Sequence, residues 1–255
     1  LESVLEYFFL ACIALLAGVL IGSVGVGGVL LIPALLAVTN LSIHQASASA
    51  LITFILTGAL GTYLFARRGS IAWGMSVPIC LGAVIAGYLG AQVNVIVAPQ
   101  LLIGIIGLMV IGAGIWALMA RIPVTLGGHD AVSNPPKRRA ILFAVGLVSG
   151  FLSGLSGAGG PLFSVPLMLA LKFNPLATIG VAQVFQVVAS GSGSVANIVN
   201  GVVDFKIVAF IVPFELIGIC IGVVIAHKTR VDRLKKVAAG LCILVGIYMT
   251  IKSFI

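Results

Sequence analysis

Apolar residues fill this chain in long blocks separated by short polar stretches, and block length decides what each one is. A membrane-crossing helix needs about 20 apolar residues at roughly 1.5 Å of rise each. Six blocks meet that requirement directly: 45–66, 71–93, 99–120, 176–200, 205–227 and 234–254. Two others, 6–38 and 140–171, are too long for one crossing. Each is interrupted by glycine, at Gly22, Gly25, Gly27 and Gly28 in the first and at Gly154, Gly157, Gly159 and Gly160 in the second. Glycine is a poor helix former, so each long block predicts two helical pieces around a turn.

The two broken blocks match each other at a constant spacing of 132 residues, and a proline follows in each, Pro33 and Pro166. Farther on, Trp73 matches Phe205, and Pro78 and Gly87 match Pro213 and Gly222. The stretch between the copies contains Gly127-Gly128, Asn134-Pro135-Pro136 and a basic cluster, and reads as a loop. The expected organisation is a first transmembrane repeat at 1–120, a cytoplasmic linker at 121–139 and a second repeat at 140–255. Internal duplication of this kind marks many transporter folds.

Composition agrees with a membrane setting. Apolar residues make up 61% of the chain and charged ones 8%, with a mean hydropathy of +1.28. Soluble domains carry about 25% charged residues to wet their surface, so lipid must cover this one. The net charge of +8 does not indicate nucleic acid, because the basic residues sit in short loops between apolar runs. Those loops also report topology. If each broken block crossed once, the basic residues would divide 8 against 6 between the two sides. If each enters and leaves on one side, only Lys206 and Lys252 fall outside and 12 of 14 lie inside. The positive-inside rule selects the second arrangement. Each repeat is then a hairpin plus three spans. Arms that cross fully would give the same loop sides, but arms of about 17 and 11 residues in the first copy favour a re-entrant hairpin, the second being too short to cross. The copies are inverted and both termini lie outside. The first apolar run lacks a positive leader and is not read as a signal peptide.

A glycine turn leading into a short helix leaves backbone N–H groups unpaired at membrane depth, where they and the helix dipole suit an anion. Glycine also lets a ligand approach the backbone closely. Tight helix packing is the plainer use of such glycines; their recurrence at matching breaks favours a site. Polar stripes follow each hairpin: Gln45, Ser49, Thr53 and Thr57, then Gln183, Gln186, Ser190, Ser194 and Asn197. Their spacing places each set on one helical face, either lining a cavity or bonding between helices. Glu215 lies near the centre of a span, where a carboxylate is costly and therefore a functional candidate. It is the candidate carrier of a coupling proton, with a purely structural, protonated role as the rival. Cys12, Cys80, Cys220 and Cys242 read as small buried hydrophobes, and His44, His129 and His227 as loop or span-end residues without metal-ligand spacing. Trp73 reads as an interfacial anchor.

Gly25-Val26-Gly27-Gly28-Val29-Leu30-Leu31-Ile32-Pro33, with Ser156-Gly157-Ala158-Gly159-Gly160-Pro161 and Val165-Pro166 at the matching place, resembles the sulfite exporter TauE/SafE family of membrane permeases. The resemblance implies movement of sulfur-containing anions such as sulfite or sulfonates across a prokaryotic cytoplasmic membrane.

The expectation is an all-α integral membrane protein of two inverted repeats, acting as a secondary transporter by rocking of one repeat against the other. The expected anion ligands are the backbone at Gly25, Gly27, Gly28, Gly157, Gly159 and Gly160, with Ser49, Ser156, Gln183, Gln186 and Asn197. No catalytic residue, metal or cofactor is expected; the partners are a small anion, protons and the lipid bilayer. A passive anion channel shares these features, and a membrane-embedded enzyme lacks a base beside any buried serine.

Overall fold

In the computed structural model, residues 2–25, 27–119, 135–228 and 232–254 are described. Among them all regular structure is helical: α1 (Glu2–Val24), a single 3-10 turn (Gly28–Leu30), α2 (Leu31–Val38), α3 (Ile43–Ala66), α4 (Trp73–Ile96), α5 (Pro99–Met119), α6 (Pro135–Ser156), α7 (Pro161–Ala170), α8 (Pro175–Val199), α9 (Phe205–Lys228) and α10 (Asp232–Lys252). Seven of these, α1, α3, α4, α5, α6, α8 and α9, are long and apolar enough to cross a membrane. The linker expected at 121–139 lies outside the described residues as far as 134. Its last five residues are already the first turn of α6.

Solvation is inverted relative to a soluble protein. Val77, Leu81, Val84 and Tyr88 form an exposed stripe along α4, while Ser49, Thr53, Thr57, Gln183, Gln186, Asn197 and Glu215 are each 0–2% exposed. Lipid on the outside makes that distribution favourable, and the bundle interior is where its polar groups find partners. Trp73 is exposed at the start of α4, as an interfacial anchor requires. Cys12 and Cys220, expected in the interior, lie on the exposed surface instead, where an apolar thiol loses nothing to lipid.

Local chemistry sets the helix ends. Ser42 and Gln45 close a capping box on α3: Ser42 Oγ accepts from the Gln45 N–H at 3.2 Å, and Gln45 Oε1 accepts from the Ser42 N–H at 3.0 Å. Gln45 is thereby removed from the polar stripe to which its spacing had assigned it. Asn174 caps α8 with Pro175 at its first position. At the breaks, Gly25 (φ +77°) and Gly157 (φ +68°) turn the chain out of α1 and α6 in the left-handed region. Their N–H groups return to the Leu20 and Ile21 carbonyls at 3.1 Å and to the Ser153 carbonyl at 2.8 Å.

The hairpin arms differ from expectation in one respect. α1 has 23 residues rather than 17, and α6 has 22; only the second arms, α2 and α7, are short. Gly22 reaches Ile219 and Val223 near the end of α9, and Gly154 reaches Gly87 and Ala91 near the end of α4. Each first arm therefore runs along most of the span that supports it. The extra length comes from residues at the start of each arm that the apolar run alone did not include, among them Glu2 and Lys137, and in α1 also from Ser23 and Val24 at its end.

Small residues make these pairings possible. Gly18 and Gly22 of α1 face Gly218 and Gly222 of α9, so closely that a Cβ at any of the four would strike the opposite backbone. Gly146, Gly150 and Gly154 of α6 meet Gly82, Ala83, Gly87 and Gly90 of α4 in the same way. Such small-xxx-small faces let helices approach without a hydrophobic driving force. In both pairs the contacts advance together along the two chains, so α1 is parallel to α9 and α4 to α6. Asp204 bonding Ser49, Gly61 meeting Ile219 and Arg68 bonding Val223 make α3 parallel to α9 as well. Gly180 at Ser70, Gly193 at Ala91 and Asn200 at Gln92 make α8 parallel to α4. It follows that α1 and α3 share one direction and α6 and α8 share one. Each glycine-broken segment turns back toward its side of entry.

Two bundles result, and neither is contiguous in sequence. One contains α1, α2, α3 and α9; the other contains α4, α6, α7 and α8. Each holds three consecutive helices of one half and a single helix from the other. They meet along α3 and α8, which are antiparallel: Leu51 lies at Gly193, Phe54 at Gln186 and Gly61 at Gln183. The α5–α10 pair, also antiparallel with Gly107 at Gly246 and Gly114 at Ala239, packs at the periphery.

Candidate functional site

The two glycine turns come together in the interior. A Cβ on Gly28 would lie 2.7 Å from the Ala158 carbonyl, and one on Gly25 3.0 Å from Val165. Gly157 is seated against Ser47 of α3 and Gly160 against the Phe185 ring of α8. The segments expected to form one shared site are thus in contact. Ser156 holds the second turn in shape: its Oγ donates to the Leu152 carbonyl at 2.7 Å and accepts from the Ala158 N–H at 3.2 Å. Among the described residues, no hydrogen bond reaches the N–H of Gly159 or Gly160, and both glycines are buried. Buried donors without partners are rare enough in folded proteins to point to a role.

The side chains expected beside them divide into two sets. Gln186 donates both amide hydrogens to α3, to the Phe54 carbonyl at 3.1 Å and to Thr57 Oγ1 at 2.9 Å. Gln183 donates to the Ile21 carbonyl of α1 at 3.2 Å, leaving its Oε1 buried without a partner beside Gly61. Ser49 accepts from the Asp204 N–H at 3.0 Å, tying α3 to the start of α9. In this conformation these three side chains join helices. Ser190, Ser194 and Asn197, farther along the same stripe, bury oxygens that have no partner, as do Ser149 and Ser153 of α6.

Glu215 is fully buried, and neither carboxyl oxygen meets a hydrogen bond of ordinary geometry. Thr53 stands beside it, its hydroxyl turned to the Ala50 carbonyl at 2.9 Å. One turn on, Thr57 donates to the Thr53 carbonyl at 3.2 Å and accepts from Gln186. The acid and the amides therefore share a single wall, the face of α3 bearing Thr53 and Thr57.

Three features escaped the sequence reading. Asn94, 1% exposed at the end of α4, donates to the Leu155 carbonyl at 2.6 Å and to Ser47 Oγ at 3.2 Å, with His44 Nδ1 3.3 Å from its oxygen. It clamps the approach to the second turn; a lone buried amide in an otherwise apolar run was the available signal. His227, read as a span-end residue without metal-ligand spacing, does lie in the last turn of α9, but its polar partners were not foreseen. There it is 3.0 Å from both Arg68 and Ser70, and Arg68 also donates to the Val223 carbonyl at 2.9 Å. The third, Phe54, has no polar signature at all. His129 lies outside the described residues. Among those residues, no group of three or more His, Cys, Asp or Glu side chains stands together.

Buried polar groups around two broken helices, enclosed by lipid-facing spans, define a multi-pass helical membrane protein with the architecture of a transporter. The chain belongs to the sulfite exporter TauE/SafE family, whose model matches residues 10–249. It is similar to a probable membrane transporter protein of Bacillus subtilis, YunE, with 22% identity covering 95% of this chain and 96% of the relative. It is also similar to a probable membrane transporter protein of Sinorhizobium fredii, with 25% identity covering 84% and 82%, and to one of Haemophilus influenzae, with 27% identity covering 43% and 42%. No solved structure matches the chain.

Proposed function

We propose that this protein is a secondary transporter, a permease or exporter of a small sulfur-containing anion such as sulfite or an organosulfonate. The observation that carries the reading is the meeting of two glycine turns, Gly28 against Ala158, beside buried amides and a carboxyl without a hydrogen bond of ordinary geometry. Uncharged donors suit an anion that must also leave, since a fixed cation would hold it. The ligands are the backbone at Gly25, Gly27, Gly28, Gly157, Gly159 and Gly160, with Ser49, Ser156, Gln183, Gln186 and Asn197. The amides of Gln183 and Gln186 are engaged with α1 and α3 in this conformation, so they reach the anion once α8 shifts. Glu215 carries a coupling proton. The family name supplies the sulfur chemistry.

The halves 1–120 and 140–255 are inverted repeats. Supporting this, every extensive packing of one element has a counterpart when the halves are exchanged: α1 on α9 with α6 on α4, and α3 on α9 with α8 on α4. The self-paired elements α3–α8 and α5–α10 run antiparallel, as inversion requires. Helix directions also gather Arg67, Arg68, Lys137, Arg138, Arg139, Lys172 and Lys228 at one end of the bundle and leave Lys206 at the other. Positive-inside bias makes the basic end cytoplasmic, puts the 121–139 linker there and both termini outside, in the cytoplasmic membrane of a prokaryote. Access alternates through movement of the two interleaved bundles along the α3–α8 seam, in place of one sequence half rocking against the other.

Thermal unfolding of the detergent-purified protein against sulfite, thiosulfate, sulfate, sulfoacetate, taurine and chloride tests the reading. A ligand at about 100 times its dissociation constant adds about 2.7 kcal/mol to the folded state. A selective shift by one sulfur anion, lost in Gly159→Leu, is expected; equal or absent shifts across the panel would refute the anion assignment.

A further inference from the structure

Phe54 lies in the middle of α3 and is fully buried. Its ring fills the gap between the two hairpin turns. A Cβ on Gly28 would meet ring carbons at 2.5 and 2.9 Å, and a Cβ on Gly159 would meet them at 3.2 and 3.3 Å. One aromatic side chain thus rests on a glycine from each half, over the backbone that a ligand would have to approach. On the other helix of the seam, Phe185 is fully buried too and covers Gly160 in the same way.

We propose that Phe54 is the gate of the transport site and the residue that sets the size of anion admitted. This rests on the reading of the glycine turns as the substrate site. While the ring is seated, an anion cannot enter between Gly28 and Gly159. The backbone carbonyl of Phe54 accepts from Gln186, and the second hydrogen of that amide goes to Thr57, one turn farther along α3. The amide is therefore held by the same helix that holds the ring. Sliding α3 along α8 frees the amide for the anion and withdraws the ring in one movement. Thr53, next to Phe54 in sequence, stands beside the Glu215 carboxyl, so the movement also changes the surroundings of the acid. Gating, ligand release by Gln186 and exposure of Glu215 are thereby geared to one helix. The ring also bears on the glycines: a Cβ at Gly28 would displace it, and one at Gly159 would press on it where φ +82° already favours glycine.

The test uses the full chain reconstituted in proteoliposomes, with uptake of sulfite and of the bulkier benzenesulfonate measured in parallel. Wild type, Phe54→Leu and Phe54→Ala are compared by the ratio of benzenesulfonate to sulfite flux. Because the ratio is taken within one preparation, a variant that reconstitutes poorly lowers both fluxes together. Phe54→Ala is expected to raise the ratio at least tenfold, with Phe54→Leu between it and wild type. If Phe54→Ala does not fold, Phe54→Leu carries the measurement, since leucine keeps an apolar side chain in the core. A ratio unchanged in every variant that moves sulfite would overturn the gate while leaving the transport reading in place. A wild-type protein that moves neither anion would bring down the transport reading, and the gate with it.

Discussion

Glu215 is the residue whose chemistry is hardest to account for by packing alone. A carboxylate at mid-membrane costs about 2.5–3.5 kcal/mol to insert on translocon scales, and here neither oxygen meets a hydrogen bond of ordinary geometry. Thr53 stands beside the carboxyl, and its hydroxyl hydrogen goes to the Ala50 carbonyl of its own helix. A group that gains and loses a proton during a cycle has reason to stay unpaired in one state. Uptake by Glu215→Gln is expected to become independent of an imposed proton gradient, while the wild-type rate follows it. Should the glutamine variant keep the wild-type response to the gradient, the coupling group is elsewhere.

At the scale of elements, the decisive features are the glycine faces, and their effect is steric. A side chain on Gly154 would drive into the Gly87 carbonyl and the Ala91 backbone, whereas Gly112, on the exposed side of α5, has nothing within 4 Å. Gly154→Leu is expected to cost at least the 1–3 kcal/mol typical of an overpacked interior, seen as a lower apparent melting temperature in detergent; Gly112→Leu should melt as wild type does. The two hairpin breaks were legible from sequence because clustered glycine opposes helix, while the distribution of lysines and arginines gives only an expectation of which side each loop faces. Less was legible about pairing. Gly18 with Gly22 and Gly218 with Gly222 are visible as periodic small residues, yet nothing local tells α1 that its partner is α9. Gln45 was misplaced because one spacing serves both a polar stripe and a capping box. Phe54 was invisible because a phenylalanine in an apolar helix is unremarkable until its neighbours are known.

For the whole molecule, the proposed alternating access assigns the movement to the two interleaved bundles, which do not coincide with the sequence halves 1–120 and 140–255. Each bundle takes its fourth helix from the other half, and the proposed motion runs along the α3–α8 seam, where Leu51 meets Gly193 and Gln186 meets Phe54 and Thr57. Joining Leu51→Cys to Gly193→Cys with a short thiol cross-linker, in a background without the four native cysteines, is expected to stop transport. Cleaving the linker with reductant should restore it. A cross-linked protein that transports at the uncross-linked rate would place the motion elsewhere, at the α5–α10 pair or within a bundle. The same seam carries both sets of candidate ligands, which ties occupancy of the site to the position of the bundles.

The exchange of helices has a consequence during synthesis. α1 emerges well before α9, with Gly18 and Gly22 prepared for a surface formed by Gly218 and Gly222, about 200 residues later. At 5–20 residues per second, that partner arrives only after about 10–40 s. Through that interval a close-packing glycine face must wait in lipid, and the first half cannot complete its own bundle. The protein is therefore committed late, when α9 enters the membrane, and a ribosome that stalls beforehand leaves an open surface that a chaperone, a protease or another nascent copy of the chain could engage.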